Sequence, residues 1–178
     1  RTRRAARRRA ARVRLDVRNA TPADAPVIAQ IYNEGIADRV GTFETRLREP
    51  DEVLAWLNGR HPVVVVSTVG HVVAFAAASE YRPRACYAGV AEFMVYTARS
   101  HRGQGAGRVA MLALIDACEQ AGFWKLLSRV FPENAASRRL LASVGFREVG
   151  TYQRHGQLDG VWRDVVIVER SLGSHTGA

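Results

Sequence analysis

The stretch Arg102-Gly103-Gln104-Gly105-Ala106-Gly107 decides how this chain is read. Ahead of it, Gly89 to Thr97 (GVAEFMVYT) is rich in β-branched and aromatic residues and breaks at Ala98-Arg99-Ser100-His101. That predicts a strand ending just before the glycines. Behind it, Val109, Leu112, Ala113, Ile115, Asp116 and Glu119 fall into apolar and polar faces at helical spacing, so a helix opens at the loop. The first turn of such a helix carries free N–H groups and the positive end of a dipole, and glycines let a phosphate approach without meeting a Cβ. The stretch reads as a seat for a pyrophosphate.

Two other phosphate loops are excluded by spacing. A dinucleotide fingerprint G-x-G-x-x-G counted from Gly103 and Gly105 needs a third glycine where Arg108 stands. A P-loop needs Gly-Lys-Ser/Thr, and the single lysine of the chain is Lys125. The spacing that fits is R-x-x-G-x-G.

A second segment follows at a fitting distance. Lys125 to Phe131 (KLLSRVF) reads as another strand, then Asn134-Ala135-Ala136-Ser137-Arg138-Arg139-Leu140 as a helix start, then Gly145-Phe146. The first loop is similar to the acetyl-CoA pyrophosphate loop of the GNAT superfamily of N-acetyltransferases, and the second segment resembles that superfamily's N-x-x-[AS]-x-x-L…G-F pattern. The resemblance implies that Arg102, Gly103, Gln104, Gly105, Ala106, Gly107 and Arg108 hold the pyrophosphate of acetyl-CoA, and that Asn134 and Ser137 lie along the pantetheine arm. Asn134 is also an intrinsically favoured helix N-cap, and both roles are compatible. The backbone of Val95, Tyr96 and Thr97, just before the loop, is placed to pair with pantetheine and to donate an N–H to the thioester oxygen. One superfamily feature is absent: where a tyrosine acid often follows the leucine, this chain has Leu141.

Composition agrees with one globular domain. The 178 residues are 47% hydrophobic and 24% charged, enough to bury a full core and ordinary for a protein in water. No apolar run approaches the ~20 residues needed to span a bilayer, and the basic N-terminus lacks the apolar core of a secretory signal, so a cytoplasmic location is expected. Cys86 and Cys118 are not at C-x-x-C spacing and the five histidines never pair at ligand spacing, which argues against a disulfide framework, a zinc site or a redox motif. The net charge of +9 is concentrated in one place: eight arginines lie in the first fourteen residues, leaving 18 basic against 17 acidic residues elsewhere. Residues 1–12 read as a basic arm with at most non-specific affinity for nucleic acid, residues 13–172 as the catalytic domain, and 173–178 as a tail.

The remainder alternates strands and helices. Val13 to Arg18 is expected as a strand, Thr21-Pro22-Ala23-Asp24 opens a helix towards Asp38, and Asp51 to Leu57 forms a second helix. Val63 to Val69 and Val72 to Ser79 form a hairpin about Gly70, and closing strands fall near Glu148 to Arg154 and Trp162 to Glu169. This order matches the GNAT order, implying an α/β (α+β) fold with a central, mostly antiparallel mixed sheet of about seven strands flanked by about four helices.

The chemistry requires a base, because an amine is protonated near neutral pH and only its neutral form attacks a thioester. On the central strand, alternation puts Glu92, Met94 and Tyr96 on one face and Phe93 and Val95 on the other. Glu92 reads as an unpaired acid in an apolar strand, where burial raises a carboxylate towards a useful basicity; the competing reading is a glutamate bound to a neighbouring arginine. Beyond the cofactor motifs, Ile31-Tyr32-Asn33-Glu34-Gly35-Ile36, Gly41-Thr42-Phe43-Glu44-Thr45, Tyr81-Arg82-Pro83-Arg84-Ala85-Cys86-Tyr87, Ala91 to Tyr96 and Gly160 to Val165 resemble the phosphinothricin and arsinothricin-resistance N-acetyltransferases. That resemblance implies Glu92 as base and Phe43, Arg82, Arg84 and Tyr87 at a small anionic amine substrate, with a homodimer as the assembly. Forked arginines suit a carboxylate and a phosphinate or arsinate. Where some relatives carry a histidine near the C-terminal loop, this chain has Asp159, with His155 four residues earlier. A protein or peptide N-terminal acetyltransferase is the alternative, followed by a CoA-binding or nucleic-acid-binding protein without catalysis.

Overall fold

Runs of valine and alanine set the centre of the molecule. The computed structural model describes residues 14–173, so the basic arm and residues 174–178 lie outside the described residues. Strands β2 (Val63–Thr68) and β3 (His71–Glu80) are buried on both faces and pair antiparallel. Their small and β-branched side chains suit a sheet covered on both sides. Val64, Val66, Ala74 and Ala76 face one helical layer, while Val63, Val65, Phe75 and Ala77 face the other.

The first layer is α3 (Ala106–Gln120) with α4 (Ala135–Ser143). Helix α3 buries Ala110, Met111, Leu114, Ile115 and Cys118, a stripe at i, i+4 spacing that contributes about 1.5–3 kcal/mol for each large side chain. The second layer is α1 (Ala25–Asp38) with the short α2 (Pro50–Leu54), which a 3₁₀ turn extends through Ala55–Leu57. Among the described residues no helix is long and apolar enough to cross a membrane.

Seven strands form one sheet in the order β1-β2-β3-β4-β5-β7-β6, with β1 at Asp16–Asn19, β4 at Val90–Thr97, β5 at Lys125–Val130, β6 at Arg147–Leu158 and β7 at Val161–Ser171. Every pairing is antiparallel except β4 with β5, which α3 connects. The expected mixed, mostly antiparallel sheet with four helices is therefore what forms. The closing hairpin is longer than the sequence suggests. It turns on Asp159-Gly160, both at positive φ (50° and 77°), a two-residue turn that fits the twist of antiparallel strands.

One feature of this sheet makes the site. Parallel pairing of β4 with β5 stops at Glu92 opposite Leu127, although β4 runs on to Thr97 and β5 to Val130. Beyond that point β3 holds β4 as far as Thr97, and β7 holds β5 as far as Val130. The two middle strands part, and unpaired backbone from Phe93 to Thr97 faces a gap in the centre of the sheet.

Candidate active site

The loop that follows β4 is held open by its glycines in two different ways. Gly103 and Gly105 sit at φ of 75° and 91° with open space where a Cβ would be, so the backbone conformation, not crowding, asks for glycine. At Gly107, on the first turn of α3, a Cβ would come within 2.9 Å of Leu140 and 3.2 Å of the Thr97 hydroxyl. Here close approach of the helix to β4 and α4 asks for it. Gly105 caps α3 without a side-chain hydrogen bond, so the first N–H groups of a 15-residue helix are left for a ligand.

The arginines of the loop divide their work. Arg102 donates to the Thr97 carbonyl at 3.2 Å and pairs with Asp38 at 2.6 Å, while Arg99 reaches the same carboxylate at 2.7 Å. Burial works to raise the Asp38 carboxyl, but the hydrogen bonds from Arg99 and Arg102 win and hold it below its usual range. Arg102 thus ties the loop to the end of α1 rather than presenting a free cation. Arg108 is exposed and has no ion pair among the described residues. Gln104 turns away from the cavity and donates to the Ser100 carbonyl at 3.2 Å.

Between the parted strands lies a cavity of about 570 Å³, lined by Val95, Tyr96, Thr97, Arg102, Gly103, Gly105, Ala106, Gly107, Arg108, Asn134 and Ser137 together with the Ser128–Phe131 stretch of β5 and its end. Every expected cofactor residue except Gln104 is on this wall. Asn134 caps α4, accepting from the Ser137 N–H at 3.1 Å, and its NH₂ donates to the Val40 carbonyl at 3.1 Å, so the N-cap reading holds and one amide hydrogen remains. Leu141 is buried in the core beside the same cavity and offers no proton.

A second cavity of about 510 Å³ opens on the α1 side of the sheet, floored by Glu92, Met94, Ser128 and Arg129 and walled by Tyr32, Tyr96 and the Gly41–Arg46 segment. The two cavities share Gly41, Phe93, Met94, Tyr96, Ser128 and Arg129, so they meet at the gap between β4 and β5. Glu92 is not the lone acid that the strand pattern suggests. Both its oxygens accept from Arg129, at 3.0 Å each, with Glu92 26% and Arg129 37% exposed. The neighbouring-arginine reading describes the pair better, because the solvent and the guanidinium together remove the cost of an isolated carboxylate. Tyr96 donates to the Gly41 carbonyl at 3.2 Å, and burial pushes its phenol well above the usual range. Phe43 stands edge-on to Phe131 at 4.9 Å, on this side of the gap.

Arg82, Arg84 and Tyr87 are not brought to the cavity wall. They lie in the β3–β4 connection, with Arg82 over the Tyr81 ring at 5.2 Å and Arg84 over Tyr87 at 5.7 Å, both guanidiniums exposed. The connection leaves the sheet next to Ser79 and Glu92, which pair across β3 and β4, so it sits at the rim. Asp159 is a turn residue bonded to Arg39 at 3.0 Å. Arg129 and Asp38 were missed by sequence reasoning; the alternation of KLLSRVF puts Arg129 on the face of Leu127, but only the β4–β5 register aims it at Glu92.

The sequence of residues 28–146, more than half of the chain, matches the model of the acetyltransferase (GNAT) family. The chain belongs to that family. The phosphinothricin N-acetyltransferase of Alcaligenes faecalis is 32% identical over 92% of this chain and 86% of its own length. The L-methionine sulfoximine/L-methionine sulfone acetyltransferase of Salmonella typhimurium is 29% identical over 90% and 96%. Among solved structures, a GNAT superfamily phosphinothricin acetyltransferase from Sinorhizobium meliloti in complex with acetyl-CoA superposes with a TM-score of 0.85 at 27% identity, over 92% of this chain and 91% of that one. For this GNAT chain the uncapped α3 terminus, the left-handed glycines and the free Arg108 suit an anionic pyrophosphate, and the gap between β4 and β5 suits an extended arm with a thioester at its end.

Proposed function

We propose that this protein transfers an acetyl group from acetyl-CoA to the amino group of a small amino acid analogue of the phosphinothricin, methionine sulfoximine or arsinothricin type, by direct attack while both substrates are bound. The observation that carries the reading is the meeting of the two cavities at Arg129, whose guanidinium holds Glu92 in the second of them, which puts a carboxylate on the amine side of the gap that holds the thioester. Acetyl-CoA supplies an acetyl group already activated as a thioester. The chain supplies the rest. The α3 terminus and Arg108 bind phosphate, the backbone of Val95 to Thr97 offers N–H groups to a carbonyl oxygen, and Glu92 takes the proton of the ammonium.

Phe43 and Tyr96 wall the amine chamber, while Arg82, Arg84 and Tyr87 stand at its rim, where two exposed guanidiniums attract the anionic groups of such a substrate. Acetylation of such analogues removes a reactive amine, which places the enzyme in resistance or detoxification, in the cytoplasm. A homodimer is favoured by the exposed Val149, Tyr152, Val161 and Trp162 along the β6–β7 edge of the sheet. Free-thiol release with acetyl-CoA and a panel of amines tests the reading. Phosphinothricin and methionine sulfoximine should turn over well above peptides with free N-termini; turnover confined to peptides would replace the small-substrate reading with N-terminal acetylation.

A further inference from the structure

We infer that Arg129 is the seat for the substrate's α-carboxylate, and that an α-amino acid gains the base by inserting its two charges into the Glu92–Arg129 pair. The inference rests on the small-amine reading above and names what that site selects. Arg129 donates through both terminal nitrogens to Glu92 at 3.0 Å, yet it also lines both cavities, so its guanidinium stands where amine and thioester meet. A two-pronged carboxylate–guanidinium pair is the electrostatic complement of a zwitterion opened between its partners. The ammonium takes the place of the guanidinium on Glu92, and the carboxylate takes the place of Glu92 on Arg129.

Charge balance makes this exchange cheap. Each buried or half-buried charge trades one opposite partner for another, so none is left unpaired, which is the outcome that costs most. Other charged groups facing this floor are already engaged: Arg46 pairs with Glu52 at 2.5 Å and Glu44 with Arg48 at 2.8 Å, and the remaining facing titratable groups are the phenols of Tyr32 and Tyr96. Arg129 is therefore the cation on the floor whose partner is itself the base. Once the pair opens, the N–H bond of the ammonium breaks, its proton moves to a Glu92 oxygen, and the electron pair stays on nitrogen for attack. An amine without the carboxylate must compete with Arg129 for Glu92 and leaves the guanidinium without a new partner. The seat thus selects for a carboxylate on the carbon that bears the amine.

The test compares phosphinothricin with its decarboxylated analogue, an aminopropyl phosphinate, in the parent, Arg129→Met and Arg129→Lys, by kcat/KM and by calorimetric binding without acetyl-CoA. The parent should prefer phosphinothricin by about 10- to 100-fold, the worth of a charged hydrogen-bond pair. In Arg129→Met that preference should collapse towards unity in both measurements, with Arg129→Lys between, while the acetyl-CoA dissociation constant stays within about threefold as evidence of an intact fold. A preference kept intact in Arg129→Met overturns the seat but leaves the acetyltransferase reading standing. If the parent neither binds nor acetylates any α-amino acid, both fall together.

Discussion

A glutamate in the middle of an apolar strand is expensive unless something supports it, and Arg129 is the support for Glu92. The pair costs little because it is partly wet, and it holds the carboxylate at the gap between β4 and β5. Replacing Glu92 by glutamine keeps the shape and removes the basicity. We expect kcat to fall by about 10²–10⁴-fold with the acetyl-CoA dissociation constant unchanged. Steady-state rates from pH 6 to 9 decide it, since a variant with parental kcat throughout has no use for Glu92 as base. Glu92 was legible in the sequence because a charge in such a strand is conspicuous. Arg129 was not, because it is 37 residues away and meets Glu92 only through a parallel register that no local pattern encodes. Arg102 repeats the lesson: the motif marked it as a phosphate ligand, whereas the turn at the end of α1 brings Asp38 to it across 64 positions of chain.

At the scale of elements, local signals wrote most of the architecture, since hydrophobic period and capping chemistry act within a few residues. The connection from β1 into α1 is an example. Thr21 and Asp24 form a reciprocal capping box, and Asp24, with a side chain only 7% exposed, also takes two hydrogen bonds from Arg18 at 2.7 and 2.8 Å. The Arg18 hydrogen bonds, against burial and helped by Thr21, lower the Asp24 carboxyl from 3.8 to about 2. A depressed folded value means the stabilisation is present above pH ~4 and disappears as pH falls through about 2. With Arg18 half exposed, it is worth about 1–2 kcal/mol. Asp24→Asn should therefore melt lower than the parent from pH 7 to 5, and the difference should shrink towards pH 2; a gap that does not narrow would mean the carboxylate is not the cause. Helix α1 gives a second test. Gly35 sits mid-helix, where alanine normally gains about 1 kcal/mol. Here a Cβ would meet the Tyr96 ring at 2.4 Å, and overpacking of about 1–3 kcal/mol should win. Gly35→Ala is expected to lower the midpoint of urea unfolding, and a raised midpoint would show that Tyr96 can move aside. What local signals missed was the length of β6 and β7: the mostly exposed residues of β6 lack the alternation by which a half-buried strand is recognised, and the ends of β7 are set by its pairing with β6 and β5.

The whole molecule is a sheet clamped at both sides and open in the middle. Because β3 holds β4 and β7 holds β5 beyond their last mutual pair, the gap is fixed by the outer strands rather than by a ligand, and it divides the site into two chambers that share one wall. In the proposed reading the chambers draw their binding groups from different parts of the chain: the cofactor side from the loop and N-terminus of α3, the amine side from the Gly41–Arg46 segment, the strand floor and the β3–β4 connection at its rim. Binding at one should then be separable from binding at the other. Valine at Gly105 would have to adopt φ near 91° and would place a branched side chain over the helix N-terminus, so Gly105→Val should weaken acetyl-CoA by about 10- to 100-fold while phosphinothricin binding without acetyl-CoA is retained. The double variant Arg82→Ala with Arg84→Ala should do the converse. Both guanidiniums are exposed and stacked on tyrosines, so their effect is long-range attraction, and the KM for phosphinothricin should rise only about 3- to 10-fold. Added salt should narrow that difference, since a shell of ions screens exposed charges at distances beyond about 10 Å. Calorimetry with each ligand on each variant reads all four quantities. A loss of acetyl-CoA affinity in the arginine variant, or of phosphinothricin affinity in Gly105→Val, would mean that the two chambers are mechanically coupled across β4.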